Sequence, residues 1–363
     1  YPGRFWRRGR VEGLWAEAQD AVAERGHRRV WQIDREPTSE EFAGHCVHVP
    51  ERVMTNAELE KLVDTSDEWI QERTGIKQRR VAAEGEAASD MAVQAARRAL
   101  EAAGLEATDL DMIVVGTISA DMPLPACAAF VQQKLGCPGI PAFDVAAACA
   151  GFVYALSIGD QFIRSGAHQR VLVIGVELLS RVLNWNDRAT CVLFGDGAGA
   201  AVLAPASDDG RGVLSTRLYT DATLAESLCI PAGGSKEPLT SAGIEAGRDK
   251  VHMIGGDIFK IAVRNLTSSS REALTAAGIE ASAVDWVVPH QANLRIIAQV
   301  AQRLDIPLDR FVLNIERYGN TSSASIPIAL DEAVRDGRVK PGDTVLMCAL
   351  GAGISWASAL ARM

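Results

Sequence analysis

The stretch 144–152, DVAAACAGF, sets a single cysteine, Cys149, among small residues. Such a thiol suits one of two roles. It can pack in a buried helix as a small hydrophobe, or it can attack a bulky thioester that the alanines leave room for. Residues 142–147 read as a strand and the residues after Cys149 as a buried helix, so the thiol falls at a strand-to-helix turn. A helix N-terminus carries about +0.5 of an elementary charge, which favours a thiolate and can lower a thiol pKa from ~8.5. Its free N–H groups can also hold an oxyanion. Two further stretches supply candidate partners. VPHQANLRII puts His290 at the end of a strand, before a helix starting near Asn293, and YGNTSSAS puts Asn320 in a turn. Taken singly, a histidine after proline is usually structural and a Gly-Asn pair is usually only a turn.

What brings the three together is an internal duplication. Residues 99–115 and 273–289 agree at nine of 17 positions with an offset of 174, and both read as a helix, a glycine C-cap and a strand. The same offset relates AAACAGFVYAL (146–156) to NTSSASIPIAL (320–330), so Cys149 corresponds to Ser323. A third pair, VLFGDGAGAAVL (192–203) and VLMCALGAGISWASAL (345–360), reads as strand, glycine-rich turn and strand, with a deletion between the halves. Matched segments in the same order indicate two related halves, about 43–210 and 211–363. Each alternates strands with amphipathic helices, the pattern of α/β layers around largely parallel sheet. A site on the seam between the halves draws Cys149 from one and His290 and Asn320 from the other.

The bulk composition narrows the function classes. The 363 residues are 48% hydrophobic and 23% charged, with a net charge of −9. No apolar run reaches the ~18 residues of a membrane span, and the acidic balance argues against nucleic acid as a partner. Seven scattered cysteines without a C-x-x-C fit a reducing compartment, hence the cytoplasm, and give no support for a metal centre. Residues 1–42 carry no recognisable chemistry and read as an extension, with a helix expected within 11–31. FGDGAGAAVL lacks the lysine of a phosphate loop, so Gly195, Gly197 and Gly199 read as turn and close-packing glycines.

From about Gly44 to Met363 the chain resembles the β-ketoacyl-acyl carrier protein synthase III enzymes. The blocks that carry the resemblance are TNAELEKLVDTSDEWIQERTGI, FDVAAACAGF, FGDGAGAAVL, VPHQANLRII and YGNTSSASIP, in that order. The resemblance implies a thiolase-like, five-layered αβαβα fold. It implies Cys149 as the acylated nucleophile, with His290 and Asn320 as partners that donate hydrogen bonds to an enolate oxygen, and no cofactor. The N–H groups of Cys149 and Ala352 would form the oxyanion hole. Trp69 and Arg188 match the pair that sandwiches the CoA adenine, and Thr65 and Arg73 match its nucleotide end. Met253, Gly255 and Asn293 match the pantetheine tunnel, and Lys260 and Arg295 the patch that meets an acidic carrier protein. Phe194, Leu124 and Leu350 match positions around the acyl chain, Leu124 by way of a homodimer partner.

The reaction implied is decarboxylative condensation of an acyl-CoA with malonyl-acyl carrier protein, the start of type II fatty acid synthesis. The alternative is a thiolase-fold relative that makes a secondary metabolite or an ester. The chain departs from the family in three places: GHCVHVP replaces the usual opening strand, Leu124 stands at a commonly aromatic position, and Leu350 replaces a common phenylalanine. The two leucines predict a pocket that takes primers longer than acetyl.

Overall fold

Along each central strand the apolar residues alternate between two faces, and each face meets a different core. The computed structural model describes residues 40–206 and 210–363. Its main strands are β1 (Glu40–His48), β2 (Met112–Gly116), β3 (Ala142–Val145), β4 (Val171–Glu177), β5 (Gly197–Pro205), β6 (Gly212–Thr220), β7 (Trp286–Pro289), β8 (Thr344–Gly351) and β9 (Ser355–Arg362). The first sheet has the order β1-β5-β4-β2-β3 and the second β7-β8-β9-β6. The helices that matter here are α1 (Asp67–Thr74), α2 (Ala88–Ala103), α3 (Cys127–Leu135), α4 (Gly151–Arg164), α5 (Gly255–Ala277), α6 (Leu294–Leu304) and α7 (Ser325–Arg335).

Three cores hold five layers together, the central one taking in the middle helices and the facing sides of both sheets. Met112 and Val114 of β2 face a central core with Phe152 and Leu156 of α4 and Ile326 and Leu330 of α7. Ile113 and Val115, on the opposite face of β2, pack on α2 through Met91 and Ala95. In the second half, Met347 points to the central core, while Leu346 and Cys348 meet α5 and α6. The order is therefore αβαβα. α4 and α7 lie between the sheets, and for that reason five consecutive residues of α7, Ile326–Leu330, are all buried.

The duplication holds down to backbone detail. A 3-10 turn at Ala148–Ala150 leads into α4, and one at Ser322–Ala324 leads into α7, again 174 residues on. Ala148 and Ser322 are left-handed, with φ of 46° and 50°. Such a conformation costs a non-glycine residue about 1–2 kcal/mol, and it recurs at equivalent places because both turns reverse the chain tightly into a buried helix.

Several sequence expectations change. The sheets are mixed, not largely parallel: β5 runs antiparallel to both β1 and β4, and β9 antiparallel to both β8 and β6. The unusual opening GHCVHVP lies within and just after β1, a strand that begins at Glu40, takes in residues assigned to the extension and shifts register between Phe42 and Gly44. The expected helix within 11–31 lies outside the described residues. VLFG at 192–195 is not a strand, because β4 already holds that place and only Phe194 makes an isolated bridge, to Asn320. The deletion follows instead from β4 and β8, which share the 174 offset: residues 178–196 join β4 to β5, whereas only 352–354 join β8 to β9. Among the described residues no helix is long and apolar enough to cross a membrane.

Candidate active site

The turn that carries Cys149 is wedged against the second half. A Cβ on Gly351 would lie 2.4 Å from the Cys149 nitrogen, so the end of β8 packs directly on the Cys149 backbone. Cys149, His290 and Asn320 all line one cavity of about 170 Å³, with Met253, Phe259, Asn293 and Leu350. Cys149 also lines a second cavity of about 260 Å³ with Ala352 and the apolar side chains of Ile118, Leu179, Leu228, Ile230 and Val251. Phe194 lies on both cavities. One opening thus approaches the thiol along α5 and α6, and the other offers apolar space beyond it.

His290 follows β7, with its backbone N–H held by the Cys348 carbonyl at 2.8 Å. Its Nδ1 lies 2.7 Å from Ser325 Oγ, which in turn lies 2.8 Å from the Ser322 carbonyl oxygen. The single Ser325 hydroxyl hydrogen can serve either neighbour, so it sets whether Nδ1 donates or accepts. Asn320 is held by Leu193 and Gly195 through backbone hydrogen bonds, and its Oδ1 accepts from the Ser322 N–H at 2.8 Å. That bond leaves the Asn320 Nδ2 hydrogens free for the cavity. Gly319 makes the turn possible, with φ of 65° and a missing Cβ that would otherwise meet the Leu193 carbonyl at 2.9 Å.

Burial decides the charges. It pushes the Cys149 thiol up to about 12, with the Ser322 side chain pulling the other way and Glu177 adding to the rise. In this enclosed turn the loss of hydration opposes the thiolate that the helix terminus favours. Burial lowers His290 to about 3, so its imidazole is neutral across the physiological range. Glu177, at the end of β4 and fully buried, is pushed up to about 7 by burial, against hydrogen bonds from Ser119, Ile118 and Ser322.

His290 and Glu177 act oppositely on stability. Between pH 3 and 6.5 the unfolded chain binds a proton at His290 that the native chain does not, so this contribution falls as pH falls. Between pH 4.5 and 7 the native chain holds a proton at Glu177 that the unfolded chain releases, so this contribution is present at low pH and lost as pH rises through 7. Over the shared window each slope approaches ~1.4 kcal/mol per pH unit and the two cancel. Relative to the parent chain, the urea midpoint of His290→Gln is expected to climb as pH falls from 6.5 to 4.5, and that of Glu177→Gln to drop. Parallel profiles for all three proteins would refute this.

The contact at Gly351 makes a second prediction. A methyl group there meets backbone, which cannot turn aside, so Gly351→Ala must displace the Cys149 amide. Overpacking of this kind costs about 1–3 kcal/mol of stability. Displacing an oxyanion donor costs roughly 10²-fold in rate. Thermal melts together with acylation rates check both, and an unchanged acylation rate would separate the Cys149 amide from the chemistry.

The other candidate residues are distributed as follows. Met253 and Asn293 line the first cavity, and Asn293 Nδ2 donates to the Arg73 carbonyl at 2.9 Å, which ties α1 to the cavity mouth. Gly255 opens α5. Arg295 stacks 6.0 Å from the ring of Phe259, a cavity residue, and Lys260 is exposed on α5. Thr65, Trp69, Arg73 and Arg188 line neither cavity. The guanidinium of Arg188 lies 4.9 Å from the Trp69 ring centroid. A ring inserted between them needs about 7 Å, twice a ~3.5 Å carbon contact, so the expected sandwich is closed in this state. The Thr65 hydroxyl is buried without a hydrogen-bond partner. Leu350 borders the first cavity, not the second. Leu124 is 83% exposed and lines neither cavity. Glu177, Ser322 and Ser325 were missed. An acid closing the apolar run VLVIGVE, and serines at 322 and 325 where the first half has Ala148 and Gly151, were the available signals.

Residues 143–222 match the family 3-Oxoacyl-[acyl-carrier-protein (ACP)] synthase III, and residues 274–363 match the C-terminal region of the same synthase. The chain is 50% identical over 321 residues to the β-ketoacyl-[acyl-carrier-protein] synthase III of Roseiflexus sp. (strain RS-1), covering 88% of this chain and 97% of that protein. It is 52% identical over 320 residues to the synthase of the same name from Paramagnetospirillum magneticum (strain ATCC 700264 / AMB-1), covering 87% and 96%. The solved 3-oxoacyl-[acyl-carrier-protein] synthase III of Aquifex aeolicus VF5 superposes with a TM-score of 0.82 at 46% identity, over 89% of this chain and all of that one. The priming β-ketosynthase of the R1128 polyketide pathway superposes with a TM-score of 0.83 at 36% identity, over 90% and 97%. With identity of this order over nearly the whole length of its relatives, and with the layers and turns described above, the chain belongs to the β-ketoacyl-[acyl-carrier-protein] synthase III family.

Proposed function

We propose that the chain condenses an acyl-CoA primer with malonyl-acyl carrier protein, with loss of CO2, to give a β-ketoacyl-acyl carrier protein and so begin type II fatty acid synthesis. The observation that carries this reading is the convergence of Cys149, His290 and Asn320, from both halves, on one cavity beside an apolar one. In the first step the Cys149 sulfur attacks the thioester carbon, the oxyanion is held by the N–H groups of Cys149 and Ala352, and CoA leaves. In the second, malonyl thioester loses CO2 as its carbonyl oxygen takes the enolate charge. With the Ser325 hydrogen turned to Nδ1, the neutral His290 ring donates from Nε2, and Asn320 donates from Nδ2. The enolate carbon attacks the acyl carbon, and the Cys149 thiolate leaves.

The remaining assignments follow the same reading. The first cavity is the pantetheine path, with Met253, Gly255 and Asn293. Arg188 swings off Trp69 to admit adenine between them, with Thr65 and Arg73 nearby. Lys260 and Arg295 are the carrier-protein patch, and their positive charge offsets the acidic balance of the chain. A homodimer would bring Leu124 to the partner's pocket, which accounts for its exposure here. The halves 43–210 and 211–363 are the working units of a cytoplasmic enzyme, with 1–42 as an extension.

Intact-mass measurement after incubation with acetyl-, butanoyl- and octanoyl-CoA tests the reading. Adducts of one acyl group are expected with primers beyond acetyl, because the second cavity is lined mostly by apolar side chains. A steep fall from acetyl to butanoyl would sink the wide pocket, and the absence of every adduct would sink the function.

A further inference from the structure

Ser322 touches every part of the site. Its N–H donates to Asn320 Oδ1, its carbonyl oxygen lies 2.8 Å from the Ser325 hydroxyl that meets His290, and it lines the second cavity beside Cys149. Its own hydroxyl donates to Glu177 Oε1 at 3.2 Å. Ser322 is 2% exposed and Glu177 not at all. A buried carboxyl group thus stands one residue away from Cys149, and the condensation described above leaves it without a role.

We propose that Glu177 acts through Ser322 as the base that takes the Cys149 proton during acylation and returns it after condensation, a role that rests on the acyl-transfer reading of this site. In acylation the S–H bond breaks and its proton passes to Ser322 Oγ, while the Ser322 proton passes to Glu177 Oε1. The sulfur bonds to the acyl carbon, the carbon–sulfur bond to CoA breaks, and the departing CoA thiolate takes a proton from water. In condensation the new carbon–carbon bond expels Cys149 as thiolate. Glu177 then protonates Ser322 Oγ, whose own proton goes to the sulfur. Each turnover consumes one solvent proton, taken up by CoA, and the Cys149 proton stays within the site.

The surroundings of Glu177 fit a group that changes charge with the thiol. Facing it are the hydroxyls of Thr117 and Ser119 and the amide of Ile118 from the loop after β2, and Ser322 and Ser323 from the turn before α7. The titratable groups near it are the thiols of Cys149 and, from α3, Cys127. None of these is a cation that would fix Glu177 as a permanent carboxylate. Burial raises Glu177 to about 7, where it can both accept and release a proton.

Iodoacetamide alkylation of Cys149 against pH tests this without any acyl substrate. Above the titration of Glu177, each thiolate formed places its proton on the carboxylate, so the reactive fraction becomes constant and the parent profile levels off near neutral pH. In Glu177→Gln, which keeps the side chain's shape, the rate is expected to climb about tenfold per pH unit without levelling, as for an isolated thiol. Rapid-quench acylation at neutral pH is expected to fall at least ~10²-fold in Glu177→Gln and in Ser322→Ala, the range for a lost general base. Single-turnover condensation by pre-acylated Glu177→Gln should stay within about threefold of the parent, since its bond-making precedes the proton's return. Levelling retained in Glu177→Gln, or acylation and condensation falling by one common factor, would overturn the relay. A parent chain that forms no acyl adduct would instead remove the condensing-enzyme reading, leaving the alkylation profile to judge the relay alone.

Discussion

Cys149→Ala is expected to take up no acyl group from any acyl-CoA and to lose condensation by on the order of 10⁵-fold or more, the scale on which removal of a covalent nucleophile acts. The loss is this large because the other thiols on the cavities are placed differently, Cys348 fully buried within β8. Cys229 lines the second cavity, but its sulfur hydrogen-bonds the Glu226 carbonyl and it lies on a different element. The fold should survive. Cys149 is flanked by Ala148 and Ala150, and exchanging the sulfur for hydrogen removes one buried atom from a place that borders two cavities. The variant also separates the half-reactions. His290 and Asn320 remain, so malonyl thioester should still lose CO2, with the carbanion protonated instead of acylated. Intact mass reads the adduct, and release of CO2 reads the second activity. An acyl adduct on Cys149→Ala, or its undiminished condensation, would move the nucleophile elsewhere.

The parts of this site that the sequence made legible are those with a local signature. Cys149 between alanines, His290 after a strand and Asn320 after a glycine could each be placed on an element, and the 174-residue repeat put the elements on one seam. The repeat gave two α/β halves, because helix and strand periods are local properties, and the five layers followed from the family resemblance. Strand direction was less accessible. β5 lies antiparallel in a sheet that also holds parallel strands, and only pairing across the sheet decides that. The thiol's surroundings were less accessible for a related reason. A helix terminus is visible in sequence, but the burial that opposes it comes in part from the end of β8, from the other half of the chain. Ser322 escaped notice because its importance lies in its backbone groups as much as its hydroxyl, and residue type does not report backbone contacts.

His290→Ala is expected to keep acylation within about tenfold of the parent and to lose condensation by ~10³-fold, near the upper end for one oxyanion-type donor. The split follows from where the imidazole is held and from its charge. His290 reaches the cavity from the second half, and its Nδ1 is committed to Ser325, so Nε2 is the atom left for substrate. A cationic ring would pair with the malonyl carboxylate and stabilise the ground state along with the transition state. A neutral donor favours the developing enolate oxygen more selectively, and only such differential stabilisation speeds the step. Burial keeps the ring neutral down to about pH 3, so condensation in the parent should show no acid limb from this residue. Asn320 still donates in the variant, which is why the loss stops short of that at Cys149. Acylation is expected to need neither donor, since its oxyanion is proposed to lie at the Cys149 and Ala352 amides. Rapid-quench acylation with acetyl-CoA and single-turnover condensation of pre-acylated protein measure the two rates apart. Loss of acylation alone would make His290 the activator of the thiol, and equal loss of both would make it a support for the turn.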